Sequence, residues 1–296
     1  MLVHTMLRIE FLRQMIGGSL AFSGLKLSAL VNELDSFQAS PLMPVLFVGH
    51  GSPMNAIEQN DFSKSWNLLG KNLPTPRAIL CISAHWETDG SFVTAMPNPK
   101  TIHDFGGFPQ ALFDVQYPAP GNPALAAEIV KMETARHISE DHSWGLDHGT
   151  WSVVKNMYPE ANIPVLQLSL DYHLSAESHK ELAASLKKLR ERGVLIIGSG
   201  NLVHNLRMVD WHNPNNGYDW AVEADETFRK AISSEDWPLL LAKTNWKDAL
   251  KKSVPTAEHY LPMIYPLAMK GKNEEIRYFN QQTLMGSISM TSFIIS

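Results

Sequence analysis

The chain has 296 residues, 44% of them hydrophobic and 19% charged, which gives ample material for a large core and too few charges for a disordered chain. A net charge of −5 and no long unbroken Lys/Arg run give no sign of a surface built for phosphate backbones, so no nucleic-acid partner is expected. The lone Cys81 lies in the apolar run 78–82, which excludes an intrachain disulfide framework and any thiolate-rich metal site. Any metal must take nitrogen and oxygen ligands.

Residues 1–41 read as an N-terminal extension, either signal-like or a helical leader. Arg8 and Arg13 precede the small, apolar stretch Met15–Phe22, but Glu10 and Lys26 interrupt the pattern and no Ala-x-Ala site follows. The expected location is therefore cytoplasmic, with export as the alternative if the leader acts as a signal. No window reaches the ~18 apolar residues of a membrane span, so no membrane partner is expected.

The catalytic unit is expected over 42–296. Pro44–Val48 reads as a buried strand that runs into the turn His50-Gly51-Ser52-Pro53. A short helix over 61–71 precedes a second strand, Arg77–Ser83, which ends near His85. The stretch 96–123 is rich in Pro and Gly, and a loop this long in a compact domain is usually functional. Asn122 or Pro123 opens a helix to about Arg136. A third strand spans 163–170, and Ser175 caps an amphipathic helix over 176–192 that Gly193 stops. Val194–Ile197 is a fourth strand, ending in Gly198-Ser199-Gly200. Helical patterns follow at 218–233, 236–251 and 256–269, and 293–295 reads as a last strand. Apolar strands alternating with helices predict one α/β domain with a largely buried sheet.

The chain carries twelve histidines, and four share a setting. His50, His85 and His204 each follow an apolar strand within a few residues, and His259 opens a helical segment. Ligands of open α/β sheets bind beyond the carboxyl ends of the strands, so these imidazoles are expected to meet in one crevice. Neutral imidazole is the commonest protein metal ligand. The glycines after His50 and before His204 are read as allowing close backbone approach to a bound group. In Asp147-His148-Gly149, His148 is a candidate acid/base or substrate-binding residue and Asp147 a candidate to orient an imidazole. His103, in the long loop, is placed within reach of a substrate. Trp86, Phe105, Phe108 and Trp151 are candidate walls for an aromatic substrate. His4, His137, His142, His173, His179 and His212 are read as non-ligands, with His173 and His179 on the solvated side of their helix. Nucleophile-elbow, phosphate-loop, dinucleotide and His-Glu-x-x-His signatures are all missing from the sequence.

Five segments together closely resemble the 4,5-DOPA extradiol dioxygenases of the class III extradiol superfamily. They are 43–54, Ser83-Ala84-His85-Trp86-Glu87, Asp147-His148-Gly149, 198–205 and Thr256-Ala257-Glu258-His259-Tyr260. The resemblance covers about residues 43–296. It implies an α/β fold with a central mixed sheet flanked by helices, and one divalent metal per chain. It implies ligands at His50, His85 and His259, with His204 beside them as both metal-associated residue and acid/base. His148 would join His204 in catalysis. The implied partners are a small catechol such as DOPA, and O2, in a monomer or small homo-oligomer. Three imidazoles suit Zn2+ as well as Fe2+, but ring cleavage needs Fe2+, because zinc has no accessible redox step. The alternatives are a zinc-dependent hydrolase and a non-catalytic metal-binding interaction module, as in the Memo proteins of the same fold.

Overall fold

Short, mostly apolar runs make the central strands, and capped amphipathic runs make helices that cover them. The computed structural model describes residues 42–132 and 134–296. The expected leader at 1–41 lies outside the described residues. In chain order, β1 (Val45–Gly49) is followed by α1 (Asp61–Asn72), β2 (Ala78–Thr88) and β3 (Ser91–Thr94). After the long loop, which holds one helical turn at Gln110–Phe113, come α2 (Pro123–Lys131), β4 (Ile138–Asp141) and α3 (His148–Met157). Next are β5 (Val165–Asp171), α4 (Ala176–Ser185) and β6 (Val194–Gly200). The C-terminal third adds α5 (Asp219–Ser233), α6 (Trp237–Leu241), α7 (Asp248–Ser253) and α8 (Ile264–Ala268). It closes with β7 (Ile276–Phe279), the small pair β8 (Thr283–Leu284) and β9 (Ile288–Ser289), and β10 (Ser292–Ile295).

Eight strands form one mixed sheet in the order β4-β3-β5-β2-β6-β1-β10-β7. The central four, β5-β2-β6-β1, are parallel, while β10 and β7 add antiparallel at one edge. Alternate strand residues feed two cores. Val45, Phe47, Leu80 and Ile82 face one side, packed with Ala126 of α2, Leu182 of α4 and Phe228 of α5. Leu46, Val48, Ile79 and Cys81 face the other, packed with Trp66 of α1 and Trp151 of α3. Helices on both faces explain why the central strands read as continuous apolar runs.

Local chemistry sets the helix starts. Asn60 accepts from the Phe62 and Ser63 amides, and Ser63 Oγ accepts from the Asn60 amide, which completes a capping box for α1. Asn122, Asp147 and Ser175 cap α2, α3 and α4 with their side chains. Gly193, at φ 78°, supplies the left-handed residue before β6.

The expected elements need several corrections. The helix from 122 stops at Lys131, and the one from 176 ends at Ser185 before a 3-10 stretch at Lys187–Arg192. The pattern at 236–251 splits into α6 and α7 around Thr244-Asn245, which are poor helix formers. The segment 256–269 is helical only as a 3-10 turn plus α8. β2 runs on to Thr88, past its expected end at Ser83. His179 is fully buried rather than solvated. Its Nδ1 lies 2.9 Å from Tyr265 Oη and its Nε2 lies 3.2 Å from the Asp171 carbonyl.

Candidate metal centre

The parallel register brings the ends of β1 and β6 level with the stretch of β2 before His85. Val48 pairs with Ser199, and Ser199 pairs with Ser83, so β1, β6 and β2 reach the same edge of the sheet together. His50 and His85 each stand two residues beyond that line. β2 stays level with β5 only to Ile82, and the register then shifts before Glu87. An irregularity of this kind re-aims side chains, and His85 sits inside it.

The end of β6 works by absence of side chains. A Cβ on Gly198 would lie 2.1 Å from the Pro262 carbonyl oxygen, and one on Gly200 would lie 2.1 Å from that of His259. The two glycines therefore admit the 259–262 segment against β6, and the Asn201 amide donates to the His259 carbonyl at 2.8 Å. The close approach expected for a bound group is made here by the protein's own backbone. Likewise Gly51, at φ 60°, leaves room for the Met290 sulfur, which a Cβ would meet at 2.4 Å. Ser199, between the two β6 glycines, points the other way, toward His50.

The rings of His50, His85 and His259 form a nearly equilateral triangle, with centroid separations of 5.1, 5.0 and 5.4 Å. His148 packs on His85 at 3.9 Å, and His204 lies parallel to His259 at 3.5 Å. Ligand-capable atoms lie within 4.8 Å of one another in two groups, His50/His85/His148 and His204/Glu258/His259. The triangle bridges the two groups, with one flanking imidazole on each side.

Each inner ring has an oxygen against its Nδ1. Ser199 Oγ lies 3.0 Å from His50 Nδ1 and donates to the Gly149 carbonyl at 2.5 Å, so it accepts from the imidazole. Glu258 Oε1 lies 3.1 Å from His259 Nδ1. Asp104 Oδ2 lies 2.9 Å from His148 Nδ1 and 3.3 Å from His85 Nδ1. With Nδ1 protonated, each Nε2 keeps its lone pair for the centre, which is the outer arrangement typical of metal-bound histidine.

Burial and mutual crowding keep the inner rings neutral. His50 and His259 are held well below the ordinary histidine pKa by burial first and by the neighbouring imidazoles second. Burial, then His148, brings His85 down to about 3 despite the opposing pull of Asp104. Burial also brings His204 to about 4, although the Glu258 carboxylate pulls it upward. The result is a cluster of neutral donors, with the Nε2 atoms of His50 and His85 only 3.2 Å apart. Two lone pairs at that range repel, so either one nitrogen carries a proton toward the other or a cation stands between them. Metal–nitrogen bonds of about 2.1 Å to two atoms so placed subtend about 100°, between octahedral and tetrahedral angles. The donor set fits a divalent ion.

Other expected residues fall elsewhere. Asp147 does not orient an imidazole; its carboxylate caps α3 at Thr150 and bonds Ser83 Oγ and Gln167 Nε2. Asp104 takes the orienting position, and the sequence offered no signal for it beyond its place beside His103. The His103 ring bonds the Val115 carbonyl at 2.9 Å and packs among Phe105, Phe113 and Trp151. Phe105 is the aromatic that reaches the cluster, edge-on to His148 at 5.5 Å and against Phe108 at 5.5 Å. Trp86 is buried and stacked on Trp144. Trp151 is buried with its indole donating to the Ile102 carbonyl.

Known proteins are similar to this chain in sequence and fold. The family model described as the catalytic LigB subunit of aromatic ring-opening dioxygenase matches residues 43–283. The Escherichia coli K12 protein named 4,5-DOPA dioxygenase extradiol is 46% identical over 263 residues, 87% of this chain and 96% of its own length. The Beta vulgaris protein of the same name is 35% identical over 268 residues, 83% of this chain and 94% of its own. A solved structure of an uncharacterized Escherichia coli K12 protein superposes with a TM-score of 0.75 at 40% identity, covering 86% of this chain and all of that one. With matches of this extent, the chain belongs to the LigB family of ring-opening dioxygenases and is an extradiol dioxygenase enzyme.

Proposed function

We propose that the chain opens the aromatic ring of a catechol such as DOPA with O2, at one divalent metal held by His50, His85 and His259. The observation that carries this is the pair of imidazole Nε2 atoms 3.2 Å apart, inside a group of imidazoles with oxygens against their Nδ1 atoms. When bound, Fe2+ would supply the redox chemistry and lower the pKa of the catechol hydroxyls. Zn2+ fits the same nitrogens and would give an inactive form on isolation.

The protein's own groups divide the remaining work. His204, neutral and stacked on His259, is placed to take a catechol proton and later return it to the departing oxygen. General acid–base help of this kind is worth about 10²–10⁴-fold. His148, with Nδ1 tied to Asp104, presents Nε2 to hydrogen-bond a substrate oxygen. Phe105 forms an apolar wall beside it, and His103 packs against Phe105. Whether His204 also binds the metal directly is part of the same test.

No described helix is long and apolar enough to cross a membrane. The proposed enzyme is cytoplasmic, and a monomer or small homo-oligomer. The test is anaerobic reconstitution with Fe2+, then DOPA, caffeate or protocatechuate in air. Oxygen uptake and a yellow ring-opened product are expected with at least one catechol, and neither with Zn2+. His204→Ala should keep its metal and lose turnover; loss of metal would make His204 a ligand. His50→Ala and His85→Ala should lose both. A metal-loaded protein that consumes no oxygen with any catechol would favour the zinc hydrolase or the binding module instead.

A further inference from the structure

Asp104 arrives at the imidazole cluster from the long loop, and the chain before it is fastened to the rest of the protein. Thr101 bridges Leu146, the Ile102 amide donates to the Leu146 carbonyl at 2.7 Å, and the Leu146 amide donates to the Lys100 carbonyl at 2.8 Å. The Trp151 indole donates to the Ile102 carbonyl at 2.8 Å, which ties the same stretch to α3. Two residues later the Asp104 carboxylate, 17% exposed, uses both oxygens on one target. Oδ1 accepts from the His148 backbone amide at 2.9 Å, and Oδ2 lies 2.9 Å from His148 Nδ1. The same Oδ2 is 3.3 Å from His85 Nδ1. One carboxylate thus stands behind a ring of the metal triangle and a ring of the substrate side at once, and those two rings pack at 3.9 Å.

We propose that Asp104 is the positioning residue that fixes His85 and His148 together, holding both as Nδ1–H tautomers with their Nε2 lone pairs turned to the centre. The assignment deepens the metal-dependent reading and rests on it for metal affinity, while the tautomer claim stands without metal. The physical reason is simple. An ionised carboxylate can only accept, so it selects the tautomer that donates from Nδ1. The neutral amide of Asn would keep an acceptor for the His148 backbone while turning a donor toward both rings. That donor favours the Nε2–H tautomer and removes the lone pair a metal needs.

The experiment compares the wild type, Asp104→Asn and Asp104→Glu, each metal-free and ¹⁵N-labelled at histidine, by long-range ¹H–¹⁵N correlation at pH 7.5. Zn2+ affinity is read by chelator competition, and kcat and KM with Fe2+ and a catechol. The wild type should show Nδ1–H at both rings. Asp104→Asn should shift both toward Nε2–H, His148 more strongly because its contact is shorter. Its Zn2+ affinity should fall about 10–100-fold, and kcat should fall more than KM rises. Asp104→Glu should restore the His148 tautomer and part of the affinity. A wild-type His148 in the Nε2–H form overturns the proposal even if the Asn variant does not fold. So does an Asn variant with unchanged tautomers and affinity. A wild type that binds no metal, yet shows tautomers governed by Asp104, supports the proposal and defeats the metal reading.

Discussion

His179 and the imidazoles of the metal centre are all buried, and their partners separate their roles. Both nitrogens of His179 meet protein atoms, the Tyr265 hydroxyl and the Asp171 carbonyl, so nothing is left for a ligand. His50, His85 and His259 meet oxygens on Nδ1, while the Nε2 atoms of His50 and His85 meet only each other in the described contacts. Burial brings the His179 pKa from 6.5 to about 4, against the upward pull of the Asp171 carbonyl. The unfolded chain therefore binds a proton between these values that the folded chain does not. Stability from this residue is fully present above pH 6.5 and is lost on acidification toward pH 4, by about 3 kcal/mol in all. In His179→Gln, denaturant titrations across that window should show a slope flatter by about 1.4 kcal/mol per pH unit. An unchanged slope would mean that His179 is protonated in the native state. From sequence alone, His179 resembled its helix neighbours, because the Tyr265 that buries it lies 86 residues away.

Among the elements, β6 has its last residues dictated by a neighbour. Its last residues alternate between faces, so Gly198 and Gly200 meet the 259–262 segment while Ser199 meets His50. Gly200→Ala would place a Cβ 2.1 Å from a backbone oxygen of a metal-centre residue, which the backbone cannot absorb without shifting. Melting should fall by the equivalent of about 1–3 kcal/mol, the usual cost of overpacking, with metal affinity falling alongside. Gly106, in the long loop, has nothing within 4 Å of its Cβ direction, so Gly106→Ala should stay within about 0.5 kcal/mol of the parent. Equal losses in both variants would show that the glycines matter for chain flexibility rather than for space. Elements that read poorly from sequence were the short ones at the edges. β4 (Ile138–Asp141) carries two acidic residues, and β7 (Ile276–Phe279) is half-exposed, so neither shows the apolar run of a central strand.

For the molecule as a whole, every strand among the described residues and every centre imidazole lies within residues 45–295. A chain shortened to begin at Leu42 should keep the full-length melting temperature and Zn2+ affinity; a drop in either would make the first 41 residues part of the domain. The central strands, the α/β alternation and the placement of His50 just past β1 were legible in the sequence; His85, expected where β2 ends, lies inside that strand, three residues before Thr88. Each is a local pattern: an apolar run, a cap, a turn, and a histidine at a fixed offset. The amino-acid order by itself determined that the protein has a largely buried sheet with imidazoles near its carboxyl edge and no intrachain disulfide. Only the tertiary structure decided which carboxylate orients them. Asp147, beside His148 in sequence, turns into the core to cap a helix, while Asp104 crosses 44 positions to reach the same ring. Register between parallel strands and the packing of a long loop depend on contacts between residues far apart in the chain, and no local pattern records those contacts.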